Sequence, residues 1–145
     1  MTEEQVPIEP GLFTWPAERP QLIGSKCPLC HAVTFPKQRS CPNCTGEMAE
    51  ELLPTQGRLW SWTIQGFLPK KPPYDGPETA DTFVPYGVGY VELDGEVRVE
   101  TRLTLNDPAQ LAIGMPMALV VVPFKTDSDG REVLTFAFEP EGARP

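Results

Sequence analysis

Residues 27–44 read CPLCHAVTFPKQRSCPNC, two Cys-x-x-Cys pairs with ten residues between them, and they hold all four cysteines of the 145-residue chain. A tetrahedral four-cysteine metal site needs that spacing: each pair turns two sulfurs toward one point, and the spacer returns the chain to present the second pair. Pro28 and Pro42 each follow the first cysteine of a pair. They hold φ near the value a tight knuckle uses and leave backbone N–H groups free to point at the thiolates. Cys27, Cys30, Cys41 and Cys44 are therefore expected to hold one structural zinc ion. Two disulfides or a redox motif are the alternatives, but a redox Cys-x-x-Cys occurs singly and in a βαβ setting. Iron is a second metal that the same sulfurs accept. His31, the only histidine, is redundant as a ligand with four sulfurs present and is expected at the surface beside the site.

Composition bounds the rest. No run of about 18 apolar residues occurs, and the start MTEEQVPIEPG is neither basic nor apolar, so no membrane span and no signal peptide are expected. A zinc site needs reduced thiols, which points to the cytoplasm. Twelve basic against 20 acidic residues leave a formal charge of −8, which repels a nucleic-acid backbone on average. Lys26, Lys37 and Arg39 stand beside the cysteines, where they either offset the negative sulfur cage or are simply solvated.

Along the chain, residues 1–20 carry four prolines and four glutamates, a pattern that defeats a long helix and favours an extended or partly disordered arm. Leu12, Phe13 and Trp15 on that arm are expected to cover the ribbon or the next domain, or else to anchor a partner. Residues 21–55 form the four-cysteine zinc ribbon, with strands near 22–26, 32–35 and 48–53. This stretch has too few apolar residues for a core of its own, so the metal is expected to supply its folding free energy, on the order of 10 kcal/mol.

From residue 56 to residue 140 β patterning dominates. Residues 58–64 (RLWSWTI) read as a strand. Residues 86–93 (YGVGYVEL) lead through Asp94 and Gly95 into a strictly alternating strand, a two-residue hairpin. Val97, Val99, Thr101, Leu103 and Leu105 are expected on the buried face, with Arg98, Glu100, Arg102 and Thr104 on the wet one. Asn106, Asp107 and Pro108 cap a short helical turn that Gly114 ends. Residues 117–124 and 132–138 are two further strands, the first covered on both sides, and residues 141–145 are a loose tail. Strand, two-stranded hairpin, short helix and two more strands is the order of the five-stranded OB-fold barrel, so the chain is expected to be mainly β. Gly87 and Gly89 suit the sharp coiling of so small a barrel.

Catalytic chemistry is scarce. With the cysteines committed to metal and the one histidine beside them, no free thiol and no separate imidazole base remain, and a closed site of four thiolates gives a metal no open position for water. No catalytic residue is assigned. Binding chemistry is richer on residues 67–85 (FLPKKPPYDGPETADTFVP), nineteen residues with five prolines, a length that marks functional or disordered loops. Lys70 and Lys71 form the only adjacent basic pair, between Phe67 and Tyr74, and phosphate and adenine contacts are both available to them. Trp60 and Trp62 are expected to share one face of the first barrel strand, as core or as an open platform, with core favoured.

Residues 22–44 (LIGSKCPLCHAVTFPKQRSCPNC), 57–64 (GRLWSWTI), 85–103 (PYGVGYVELDGEVRVETRL), 111–117 (LAIGMPM) and 134–140 (LTFAFEP) resemble, in order and spacing, an acyl-CoA-associated family. Its members are built from a rubredoxin-like zinc ribbon followed by an OB-fold. They look like non-catalytic subunits or fused domains that accompany thiolase-superfamily enzymes: thiolases, acyltransferases, and the retro-aldolases that shorten steroid side chains. Some accompany hydratases. The resemblance implies an accessory subunit with zinc in the ribbon, docked on a thiolase-superfamily partner, with acyl-CoA at or near the interface; the loop's own residues Phe67, Lys70, Lys71 and Tyr74 are the candidate ligand or partner contacts. A single-stranded nucleic-acid binder and a stand-alone acyl-CoA-binding protein are the rival readings. His31 and Thr45 stand where many members of the family carry glycine, so both knuckle turns must accommodate a side chain. The helix common at the family's N-terminus is interrupted here by prolines.

Overall fold

Asp94 and Gly95 make the central hairpin. In the computed structural model, which describes residues 4–142, both take positive φ, 50° and 66°, a turn whose twist matches that of the flanking strands. The strands among the described residues are β1 (Gln5–Pro7), β2 (Ile23–Lys26), β3 (Val33–Thr34), β4 (Ala49–Leu52), β5 (Gln56–Gln65), β6 (Tyr86–Leu93), β7 (Val97–Leu103), β8 (Pro116–Thr126) and β9 (Glu132–Pro140). β6 pairs with β7 from Leu93↔Val97 to Gly87↔Leu103. On β7, Val99, Thr101 and Leu103 are buried while Arg98 and Glu100 are exposed, as an alternating strand requires.

β5 runs antiparallel to both β6 and β8, β8 antiparallel to β9, and β9 parallel to β7. That closes five strands in the order β5-β6-β7-β9-β8, the OB-fold arrangement expected from the element order. A 3-10 turn at Pro108–Gln110 lies between β7 and β8, and the Asp107 carboxylate caps it by accepting the Ala109 N–H at 3.0 Å. Leu111 follows it into the core with Leu59, Val91, Leu93, Val99, Leu103, Met117, Leu134 and Phe138. A Cβ on Gly87 would lie 2.2 Å from the Leu105 carbonyl oxygen and one on Gly89 2.4 Å from that of Ser61. Only glycine lets the strands approach that closely.

The ribbon sheet has the order β3-β2-β4. Its base is not held by metal alone, which corrects the expectation from composition: Phe13 on the arm, Leu22 before β2 and Leu53 after β4 are buried and belong to the same apolar cluster as the barrel. These residues are distant in sequence and become a core only once the barrel supplies the other wall. The arm forms a three-residue strand and then turns, and it does more than cover. β1 pairs in parallel with Glu132, Val133 and Leu134 of β9, beyond the short stretch where β7 meets β9 at Ala137 and Phe138. Residues 1–3 of the arm and 143–145 of the tail lie outside the described residues.

Trp60 and Trp62 do not share a face. The register of β5 against β6 shifts between Leu59 and Ser61, and such a bulge inverts the inside-outside alternation downstream. Trp62 therefore packs against the core, whereas Trp60 is 46% exposed. A second shift, between Pro123 and Lys125 of β8, brackets Phe124 in the same way.

Candidate metal centre and partner surface

Each cysteine pair sits in a tight turn closed by a backbone hydrogen bond, His31 N–H to the Cys27 carbonyl and Thr45 N–H to the Cys41 carbonyl, both 2.9 Å. The residue after each pair takes a positive φ, 66° at His31 and 63° at Thr45, the left-handed region where a side chain is strained. Both turns accommodate a side chain in a backbone conformation that favours glycine.

The four sulfur atoms lie within 4.8 Å of one another, with Cys27 and Cys44 at 3.5 Å and Cys30 and Cys41 at 3.5 Å. Four soft thiolates at such separations fit a tetrahedral metal ion, since metal–sulfur bonds of about 2.3 Å place sulfurs roughly 3.8 Å apart. The inner amides point inward as the knuckle geometry requires: Cys30 N–H to Cys27 Sγ at 3.5 Å and Asn43 N–H to Cys41 Sγ at 3.4 Å. The thiols are far from equivalent. The Asn43 side chain first, then the Ala32 N–H and Cys41, pull the Cys30 thiol down to about 6. At Cys44 the Gly46 N–H acts in the same direction, but the neighbouring sulfurs of Cys27, Cys30 and Cys41 together with burial outweigh it and push the thiol up to about 12.

Lys26 and Lys37 pair with Glu51 at 4.0 Å and Glu50 at 3.3 Å of β4, and all four side chains are 40–60% exposed. These are solvated surface ion pairs, worth little to stability. His31 is exposed.

The loop between β5 and β6 is ordered by its own polar groups. Lys71 Nζ donates to the Gly76 carbonyl at 2.8 Å and to that of Glu78, and Asp75 pairs with Lys125 of β8. Tyr74 lies on the outer face of the barrel. Its hydroxyl donates to Glu78 Oε1 at 2.8 Å and accepts from Arg102 Nη2 at 3.1 Å, and its ring meets Phe124 edge-on at 6.0 Å. Phe67 is 73% exposed and Lys70 is exposed. The structure thus separates the four loop candidates into two whose polar groups bond within the loop and barrel, Lys71, itself exposed, and half-buried Tyr74, and two exposed ones, Phe67 and Lys70.

The sequence reading missed how arginines meet the two bulge aromatics on the outer face. Arg98 stacks 4.0 Å from the Trp60 ring and Arg102 3.7 Å from the Tyr86 ring and 5.8 Å from that of Phe124. Tyr90 meets Trp60 edge-on at 6.2 Å and donates to Glu100 at 3.1 Å. The signal was available in β7, where Arg98 and Arg102 fall on the wet face. The bulges that bring the rings to them leave no periodic trace. Among the described residues no helix is long and apolar enough to cross a membrane.

Comparison with known proteins agrees with this geometry. A family model of the ChsH2 rubredoxin-like zinc ribbon domain matches residues 14–49, and one of the ChsH2 C-terminal OB-fold domain matches residues 50–122. A benzoylsuccinyl-CoA thiolase subunit, BbsA of Thauera aromatica, is 28% identical over 90% of this chain and 85% of its own. A DUF35 domain-containing scaffold protein of Methanothermobacter thermautotrophicus is 32% identical over 86% of this chain and 90% of its own. Among solved structures, the Ltp2-ChsH2(DUF35) aldolase superposes with a TM-score of 0.58 at 24% identity, over 83% of this chain and 84% of that one, a likeness of fold.

Proposed function

The chain belongs to the ChsH2 family of zinc ribbon and OB-fold proteins, and from that premise we propose that it is a non-catalytic accessory subunit of a thiolase-superfamily enzyme acting on acyl-CoA. The observation that carries this reading is the likeness, over nine-tenths of the chain, to a protein that is itself a thiolase subunit. The partner, a thiolase, acyltransferase or aldolase of lipid or steroid side-chain breakdown, holds the nucleophile and the base. This chain holds one zinc ion on Cys27, Cys30, Cys41 and Cys44 and works in the cytoplasm, where its thiols stay reduced. Zinc supplies folding free energy to the ribbon there. The loop of residues 67–85 faces the partner or the CoA nucleotide through Phe67 and Lys70, while Lys71 and Tyr74 keep its shape.

Co-expression with a thiolase-type subunit tests the proposal. The two chains are expected to co-purify and to turn over acyl-CoA only together. Turnover by this chain alone, or no association with such a subunit, overturns it. One observation favours a second reading: Tyr90, exposed on the second barrel strand, lies on the face with which OB-folds bind oligonucleotides, with exposed Trp60 beside it on the first strand. Glu92 and Glu100 beside them and a net charge of −8 weigh against it.

A further inference from the structure

Leu29 and Asn43 occupy the same place in the two knuckles, one residue before the second cysteine, and each side chain crosses to the opposite knuckle with different chemistry. A Cβ placed on Gly46 would meet Leu29 Cδ1 at 2.9 Å and Cys44 Sγ at 3.4 Å, so the Leu29 methyl lies over the second knuckle beside Cys44. Asn43 Nδ2 instead donates to Cys30 Sγ at 3.5 Å, while the Asn43 backbone N–H points at Cys41 Sγ at 3.4 Å. One residue therefore serves one sulfur from each pair.

We infer that Asn43 is a positioning residue for the metal. Its side-chain amide orients the Cys30 sulfur and draws off part of the charge that four thiolates concentrate around one ion. Four thiolates around a dication carry a net charge of −2, so each N–H aimed at a sulfur relieves repulsion within the cage, and an N–H to an ionised acceptor is about twice as strong as a neutral bond. A side chain makes that donor removable without touching the backbone. Groups that hydrogen-bond to metal ligands in this way commonly account for about 10–100-fold in metal affinity. The inference rests on the reading of the four cysteines as a metal site.

The test loads the full chain with zinc and with cobalt. Asn43→Asp keeps the side-chain shape, removes the donor and sets a carboxylate against a thiolate. Asn43→Ala removes the donor without adding charge. Zinc affinity, measured by competition with a chelator, is expected to fall about 10–100-fold in Asn43→Ala and further in Asn43→Asp. The sulfur-to-cobalt charge-transfer band should move to lower energy in Asn43→Ala as Cys30 loses its donor, while Leu29→Ala leaves the band in place. A purely structural role would not produce that spectral difference. Should Asn43→Asp hold no metal, the band and affinity of Asn43→Ala decide, and wild-type values there overturn the inference. A wild-type chain that takes up neither zinc nor cobalt overturns the metal reading itself, a different result.

Discussion

Phe35 and Phe136 meet edge to face, with ring centroids 5.6 Å apart and planes at 88°. Phe35 follows β3 of the ribbon and Phe136 lies on β9, so this pair ties the metal module to the barrel at the margin of the apolar cluster that holds Phe13, Leu22 and Leu53, against which both rings pack. Phe35→Ala removes a half-buried ring and one aromatic pair, an expected cost of about 2 kcal/mol. The melting temperature should fall while the metal content stays at one ion per chain. Loss of the metal in this variant would show that Phe35 supports the knuckle and not the junction.

Metal removal should have a bounded effect. Because Leu22 and Leu53 flank β2 and β4 and are buried in the barrel cluster, stripping the ion with a chelator is expected to unfold the two knuckles and leave the base of the ribbon docked. Hydrogen exchange should show deprotection confined to about residues 27–47, with β6 and β7 unchanged. Cys27→Ser should reproduce that pattern, and His31→Ala should not. Global unfolding on chelation would mean that the barrel depends on the ion.

His31→Gly and Thr45→Gly are expected to stabilise the chain, each by about 0.5–1 kcal/mol, since both positions have left-handed backbones, with φ of 66° and 63°, which glycine adopts without a steric penalty. Thr45, being β-branched, should gain more. Denaturant midpoints of the metal-loaded variants measure this, and a drop in both would mean that the side chains make compensating contacts.

These two turns also show how far the sequence could be read. Local chemistry was legible where a short segment decides its own geometry: the cysteine spacing, the Asp94 and Gly95 hairpin, the alternation of β7 and the Asp107 cap all formed as their residues require. Long-range geometry was not. β1 pairs Gln5 with Glu132, a parallel contact between chain ends made by three residues that include a proline, and no periodicity announces it. Trp60 and Trp62 illustrate a second blind spot, because a one-residue bulge reverses which ring is inside while composition stays the same. At the candidate site the four sulfurs were evident from spacing. That the Lys71 ammonium donates to the Gly76 and Glu78 carbonyls depends on which backbone carbonyls the loop happens to present.

Acid should loosen the β8–β9 turn first. The Asp127 carboxylate accepts the Arg131 N–H at 2.8 Å, the Asp129 N–H at 3.0 Å and Arg131 Nε at 2.9 Å. The Arg131 amide foremost, with the Arg131 guanidinium and the Asp129 amide behind it, holds the carboxyl below its ordinary value near 3.8. A carboxylate with a depressed folded pKa contributes stability that is fully present above the ordinary value and is lost as pH falls through the folded one. Asp127→Asn should therefore lower stability at pH 7 and flatten its decline below about pH 4. A variant whose urea midpoints parallel wild type at both pH values would remove Asp127 from that account.

Lys70 and Lys71 should part company on mutation, although they are adjacent. CoA carries a 3′-phosphate and a diphosphate, and an exposed lysine contact to phosphate is worth about 1 kcal/mol, or roughly fivefold in affinity. On the proposed function, Lys70, exposed on the loop, is the one expected to reach such a group. Lys71 is spent on the carbonyls of Gly76 and Glu78. In an assembled complex with a thiolase-type partner, Lys70→Ala is expected to raise the KM for acyl-CoA about fivefold, reduce its salt dependence and leave assembly intact. Lys71→Ala should instead loosen the loop, weakening assembly and KM together, and Tyr74→Phe should behave like Lys71→Ala because it breaks the links to Glu78 and Arg102. Equal effects of the two lysine variants on KM alone would mean that Lys71 leaves its carbonyls when CoA binds. Wild-type behaviour of Lys70→Ala in both KM and pull-down would reduce that side chain to a solvated feature of the loop and leave Phe67 as its remaining candidate contact.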